Sequence, residues 1–180
     1  MPDGSFNITT TNLDVLIAHM EEVQAAGETG WLDPVTGHRA RFFMGSWCGL
    51  SDECGTPACM AGHAVLLADP VGFWTGDVHG RWAIPIVAAR WLGLDSRSAE
   101  QLFHGYDNRG WVYAFEHIRL SEAIETLRRL RATGRVDWSH ADGYITRGDI
   151  QNALLGSNPS SVNGDAYIDM LLHYTDEFGA

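Results

Sequence analysis

The segment Asp52–Pro70, DECGTPACMAGHAVLLADP, holds two of the chain's three cysteines, a histidine and the start of an apolar run. Thr56 is a residue type that favours the N-cap of a helix. Pro57 would then occupy the first helical position, where its missing N–H costs nothing. The pattern predicts a helix from Thr56 to about Ala68, with Cys59 in its first turn.

The cysteines and the histidine of this region form a candidate zinc site, because three thiolates and one imidazole are a ligand set that structural zinc uses. The residues are Cys48, Cys54, Cys59 and His63. The gaps between them, of five, four and three intervening residues, differ from the two close pairs that zinc sites usually present. We therefore expect no cofactor and keep zinc as an alternative.

Cys59 is also a candidate nucleophile. A cysteine in the first turn of a helix lies in the field of the helix N-terminus, which favours the thiolate. A catalytic cysteine needs a base as well, and His63 is the nearest histidine, but it does not stand at a recognised spacing. In the third interpretation Cys59 is structural and packs as a small hydrophobic residue, and the sequence favours this one.

This segment and two others together resemble a group of uncharacterised small proteins from phages and bacteria. The stretches that carry the resemblance are FFMGSW, ECGTPACMAGHA and AARWLGLDSRSAEQLF. The resemblance covers roughly residues 40–135. Its recurring pattern is Met-x-x-Trp, then Cys-Gly-Thr-x-x-Cys-x-x-Gly, then Leu-Gly-Leu and Leu-Phe. The matching residues here are Met44, Trp47, Cys54, Gly55, Thr56, Cys59, Gly62, Leu92, Gly93, Leu94, Leu102 and Phe103. The resemblance implies a phage-related or accessory role and brings no activity with it.

The composition restricts the chemistry. The chain of 180 residues has a net charge of −11, and all 12 of its basic residues are arginines. Without lysine, Schiff-base catalysis and a Walker-type phosphate lysine are excluded. The negative charge disfavours direct binding to nucleic acid or to an anionic membrane, and it suits a basic protein surface. The odd number of cysteines and the lack of a leader or a long apolar run predict a cytoplasmic protein.

The spacing of apolar residues predicts a mainly α domain with at most a small β element. We expect a helical core over residues 1–136 and a C-terminal helical pair over residues 137–180, packed on that core. The predicted helices cover residues 13–26, 56–68, 85–92, 96–104, 120–133, 149–155 and 162–178, and residues 39–44 are predicted to be extended. The stretch VGFWTGDVHGRW, rich in turn residues, is predicted to be a loop or an irregular hairpin.

The stretch from Trp138 to Asp149 is weakly similar to a calcium-binding EF-hand loop. Asp142, Tyr144 and Asp149 fall at ligand positions of such a loop. Trp138 and His140, however, occupy the first and third positions, where a carboxylate is needed. The similarity implies an EF-hand-like loop, and the two departures disfavour calcium.

Turn and cap chemistry explains the same stretch without an ion. Asp142 followed by Gly143 is typical of a turn. Thr146 and Asp149 have the spacing of a capping box, in which each side chain bonds the backbone N–H of the other.

Three aromatic residues, Trp74, Tyr106 and Trp111, are candidates for a recognition surface, because aromatic side chains dominate interface hot spots. We expect a small, acidic, non-catalytic protein-interaction module that acts on a host or defence protein. The alternative is a cysteine- or zinc-dependent, hydrolase-like enzyme that uses Cys59.

Overall fold

This computed structural model describes residues 10–44, 56–76, 83–112, 115–146 and 148–149. Within these ranges the chain forms six α-helices and two small sheets. The helices are α1 (Thr10–Ala26), α2 (Met60–Ala68), α3 (Pro70–Thr75), α4 (Ile84–Leu92), α5 (Ser96–His104) and α6 (Leu120–Thr133). The prediction of a mainly α fold with a small β element is confirmed. None of the helices within these ranges is long and apolar enough to cross a membrane.

The two sheets are short. The first contains β1 (Trp31–Leu32), β2 (Arg39–Phe42) and β3 (Thr56–Ala58), with β1 antiparallel and β3 parallel to β2. The second contains β4 (Gly110–Val112) and β5 (Tyr144–Thr146), which are antiparallel. The extended segment predicted around residues 39–44 is therefore confirmed as β2. The chain between α5 and α6 also contains a short 3₁₀ helix, Phe115–His117.

The prediction that the central helix begins at Thr56 is wrong. Thr56–Ala58 form strand β3, Cys59 is the N-cap, and α2 begins at Met60. The physical reason is that proline without an N–H is tolerated in two places, the first turn of a helix and an edge strand. β3 is an edge strand of the first sheet, so Pro57 fits there as well as it would in a helix.

The prediction of a loop after Pro70 is also wrong for the first half of that stretch, because residues 70–75 form α3. The Asp69 carboxylate accepts a hydrogen bond of 2.9 Å from the backbone N–H of Gly72. Asp69 is thus an N-cap and Pro70 the first helical residue, an arrangement in which proline begins a helix. Residues 77–82, the second half of the predicted loop, lie outside the described part of the chain.

α2 lies at the centre of the core. Each of its residues from Met60 to Leu66 is buried, which is expected of a helix that has neighbours on all sides. α1, α3, α4 and the first sheet all contact it. α6 packs against α1, and two ion pairs, Arg128–Glu21 and Arg131–Asp14, cross the contact between these two helices.

The residues that follow α6 belong to the same core. Trp138 is completely buried, its indole N–H donates to the Gln101 carbonyl oxygen at 3.1 Å, and its ring meets Phe115 edge to face. β5 pairs with β4, so residues 144–146 are tied to the middle of the chain. The rest of the predicted C-terminal unit, residues 150–180, lies outside the described part, and the division at residue 136 stays a prediction.

Truncation of Trp138 tests this arrangement. We expect Trp138→Ala to lower the free energy of unfolding by about 3–5 kcal/mol, because it leaves a cavity and an unpaired carbonyl. Trp138→Phe should cost less, and Val71→Ala, at a residue that is 58% exposed, should cost under about 0.5 kcal/mol. Denaturant unfolding measures all three variants. A loss below about 1 kcal/mol for Trp138→Ala would contradict the burial of this ring.

Candidate functional site

Two histidines face each other in the core. His19 on α1 and His63 on α2 are 44 residues apart in the chain, and their Nε2 and Nδ1 atoms lie 2.9 Å apart. The other ring nitrogen of His63, Nε2, lies 3.3 Å from the carbonyl oxygen of Arg41 on β2. Both side chains are buried. This histidine pair therefore joins two helices and the first sheet by side-chain hydrogen bonds.

The protonation of the histidine pair follows from its partners. A carbonyl oxygen only accepts, so Nε2 of His63 must carry the proton that it shares with Arg41. Neutral His63 then has a bare Nδ1, which accepts from Nε2–H of His19. The hydrogen bonds run in one direction, from α1 through α2 to β2.

The surroundings keep both rings neutral. Burial lowers the pKa of His19 to about 4, although the charges of Glu22 and Asp33 oppose the shift. Burial, followed by repulsion from His19, lowers the pKa of His63 to about 3. Two aromatic rings add to the apolar environment. Trp31 meets His19 edge to face at 4.5 Å between centroids, and Phe42 stacks on His63 at 6.4 Å.

The predicted zinc set is only partly within the described residues, because Cys48 and Cys54 lie outside them. Of the other two members, Cys59 is the buried N-cap of α2, and His63 uses both ring nitrogens in hydrogen bonds. A metal ion on His63 would have to displace one of these bonds. Within the described ranges, no group of three or more histidine, cysteine or carboxylate side chains could hold a metal. Zinc on the full set stays a prediction.

Cys59, the candidate nucleophile, does not lie in the first turn of α2, since the helix begins one residue after it. The residue is 3% exposed, so a substrate could not reach its thiol without local opening of the core. His63, the candidate base, faces His19 and the Arg41 carbonyl. The geometry therefore gives the enzyme interpretation no support.

The members of the EF-hand-like loop have protein partners. Asp142 is exposed and forms an ion pair of 2.7 Å with Arg119. The carboxylate of Asp149 accepts from both the N–H and the hydroxyl of Thr146, and the Thr146 hydroxyl accepts from the N–H of Asp149. These last contacts confirm the predicted capping box. Calcium binding stays untested by this geometry.

Tyr144, the third member of the loop, contacts a buried carboxylate that the sequence did not indicate. Its hydroxyl donates to Asp107 at 2.6 Å. Asp107 also accepts from the backbone N–H groups of Arg109, Gly110 and Trp138. Burial and the Asp107 hydrogen bond raise the pKa of Tyr144. Asp107 thus holds the turn before β4 against the loop before β5, and its role is structural.

The three aromatic residues of the predicted recognition surface lie in two parts of the fold. Tyr106 and Trp111 face each other across a β-bridge at the start of β4. Trp74 belongs to α3, and its indole N–H donates to the Asp33 carboxylate at 2.8 Å, beside His38.

An apolar groove runs between α4 and α5. The two helices form a hairpin that turns at Gly93, whose φ of 67° favours glycine, and α5 begins where the Asp95 carboxylate accepts from the Ser98 N–H. The groove has a volume of about 520 Å³. Its apolar lining consists of Pro85, Ile86, Ala89, Leu94, Ala99 and Phe103. Of these residues Ile86 is 62% exposed, whereas Leu94, Ala99 and Phe103 are buried.

Charged side chains border this groove. Arg90 lies on α4 and Glu100 on α5, and both are exposed. Burial, followed by the nearby Glu100 carboxylate, raises the pKa of Tyr106 to about 12. Tyr106, predicted as an interaction residue, therefore lies close to a carboxylate that lines the groove.

Comparison of the chain with known family models, with curated proteins and with solved structures gives no match. The site must therefore be interpreted from its own geometry. The described residues define a class of protein: a small, mainly α domain with a buried neutral histidine pair and an open apolar groove.

The histidine pair predicts a dependence of stability on pH. Unfolded histidine has a pKa near 6.5, so the unfolded chain binds more protons than the folded chain below that pH. We expect the free energy of unfolding to fall as the pH drops from about 6.5 to 4, by up to about 1.4 kcal/mol per pH unit for each histidine. Denaturant unfolding between pH 7.5 and 4.5 measures this slope.

The double variant His19→Gln/His63→Gln keeps hydrogen-bonding side chains at both positions and removes their titration. It should therefore show a much flatter pH profile. His117→Gln is the matched control, because the His117 ring is 78% exposed, and it should keep the original slope. Equal slopes in the wild type and the double variant would refute the assignment. Proton NMR titration of the wild type gives a second test, in which two histidines stay neutral at pH 5.

Burial of Cys59 predicts slow modification. Under native conditions we expect alkylation of this thiol to be on the order of 100-fold slower than in the unfolded chain, since the core must open first. Peptide mass spectrometry after timed alkylation measures the rate at Cys59 separately from the other cysteines. A native rate close to that of the unfolded chain would contradict the buried position.

Proposed function

We propose that this chain is a small, acidic, non-catalytic protein-interaction module that docks a partner protein in the groove between α4 and α5. The partner contributes a short amphipathic helix with a net positive charge. Following the sequence resemblance, the module is phage-related or accessory, and it modulates a host or defence protein.

The observation that carries the proposal is the apolar groove between α4 and α5, in which Ile86 is 62% exposed. Concave apolar surfaces with a few polar groups at the edge are typical of binding sites. Burial of a side chain of the size of Ile86 contributes about 1.5–3 kcal/mol, so this residue could anchor a partner. Ala89 is small and only half-buried, so it leaves room for a side chain that enters from outside.

The charge of the chain supports a basic partner. Five arginines form ion pairs with carboxylates of the chain itself, namely Arg109, Arg119, Arg128, Arg129 and Arg131. Two more, Arg39 and Arg41, donate to backbone carbonyl oxygens. Much of the positive charge is thus engaged internally, while the net charge of the whole chain is −11. Such a field attracts cationic partners and speeds their association.

A charge placed in the groove tests the proposal. Ile86→Asp should reduce the amount of partner captured from host extract at least about tenfold, which corresponds to a loss of about 1.4 kcal/mol. Val71→Asp is the matched control, because Val71 is similarly exposed but lies on α3, and it should capture as much as the wild type. Isotope-labelled mass spectrometry quantifies the captured proteins.

Thermal unfolding verifies that both variants fold. A protein retained equally by the wild type, Val71→Asp and Ile86→Asp would show binding elsewhere on the surface and would overturn the groove as the docking site. The groove would also be overturned as the docking site if the retention of every captured protein were independent of Ile86.

A further inference from the structure

We infer that the groove fixes the direction of the bound helix through two opposite charges, so that the partner helix carries an acidic side chain towards Arg90 and a basic side chain towards Glu100. This inference rests on the proposed function and specifies the chemistry of its partner. Arg90 stands on α4 and Glu100 on α5, so the two charges border the groove from its two helices.

The dimensions of the groove suit a helix of two to three turns. α4 and α5 have nine residues each, and a helix rises about 1.5 Å per residue, so each wall is about 13 Å long. A helix of that length presents apolar side chains at positions i, i+3 or i+4, and i+7 on one face. These side chains would lie over the apolar lining around Ala89 and Ala99.

The lining favours a helix over an extended segment. An extended peptide exposes its backbone N–H and C=O groups, which must be paired when they leave water. The walls of the groove are helices, and the strands of the two sheets do not line it. A helix satisfies its own backbone groups and needs only apolar contacts from the groove.

Charge complementarity selects one orientation of the bound helix. Glu100 on α5 is exposed and would pair with a cation on one flank of the partner, while Arg90 on α4 would pair with an anion on the other flank. The reverse orientation would place like charges together on both sides, and such juxtapositions reject wrong arrangements.

Selection from a displayed library of 14-residue helical peptides tests the inference on three proteins: the wild type, the double variant Arg90→Glu/Glu100→Arg, and Ile86→Asp. The wild type should enrich helices with an apolar face, an acidic flank and a basic flank. The double variant should enrich helices with the flanks exchanged. A peptide selected on the wild type should bind the double variant at least tenfold more weakly, and exchange of its flanking charges should restore the affinity.

The outcomes separate the inference from the proposed function. Peptides that lose binding on Ile86→Asp but bind the wild type and the double variant equally would overturn the inference and leave groove docking in place. Enriched peptides without helical spacing of apolar residues would also overturn it. No enrichment, or enrichment that is insensitive to Ile86→Asp, would overturn both. Circular dichroism melts establish that the variants, all altered at exposed positions, are folded.

Discussion

The hydrogen bonds from His19 through His63 to the Arg41 carbonyl are the constraint on which the rest of the structure depends. They place a chain of polar groups among apolar side chains, and each link has a defined donor and acceptor. Because buried polar groups are costly when unpaired, any shift of α1, α2 or β2 that breaks one of these bonds carries a free-energy cost.

The groove is a consequence of that arrangement. α2 contacts α1 and the first sheet, and its contact with α4 positions the α4–α5 hairpin. One side of the hairpin packs inward through residues such as Ala88, Leu92 and Leu102, which are fully buried. The groove lies between the two helices of the hairpin, and among the described residues only the hairpin itself lines it. The surface that we propose as the docking site is thus positioned by the buried centre.

The sequence predicted the elements whose signals are local. α1, α4, α5 and α6 follow from apolar spacing, cap residues and terminal glycines, and the capping box of Thr146 and Asp149 followed from their spacing alone. The two wrong predictions both involve proline. Pro57 suits a helix start and an edge strand equally, and Pro70 begins α3 where we expected a loop.

The candidate site was less predictable because it depends on long-range packing. His63 was singled out for its spacing from Cys59, whereas its partner is His19, on a helix 44 residues earlier. The sequence places His19 next to the apolar positions of α1, and this is the only local signal that its ring is buried. Asp107 likewise contacts residues that are distant in the sequence, Trp138 and Tyr144. Tyr106 was identified as an interaction residue, but its position close to Glu100 could not be inferred from spacing.

The parallel edge of the first sheet has a consequence for the behaviour of the protein at high concentration. An unpaired strand edge is a template on which other chains can add strands and aggregate. Among the described strands β3 forms such an edge, but it is only three residues long and its middle residue is Pro57, which offers no N–H to an incoming strand. Pro57, the residue that led us to predict a helix start here, therefore disfavours the addition of strands from other chains at this edge.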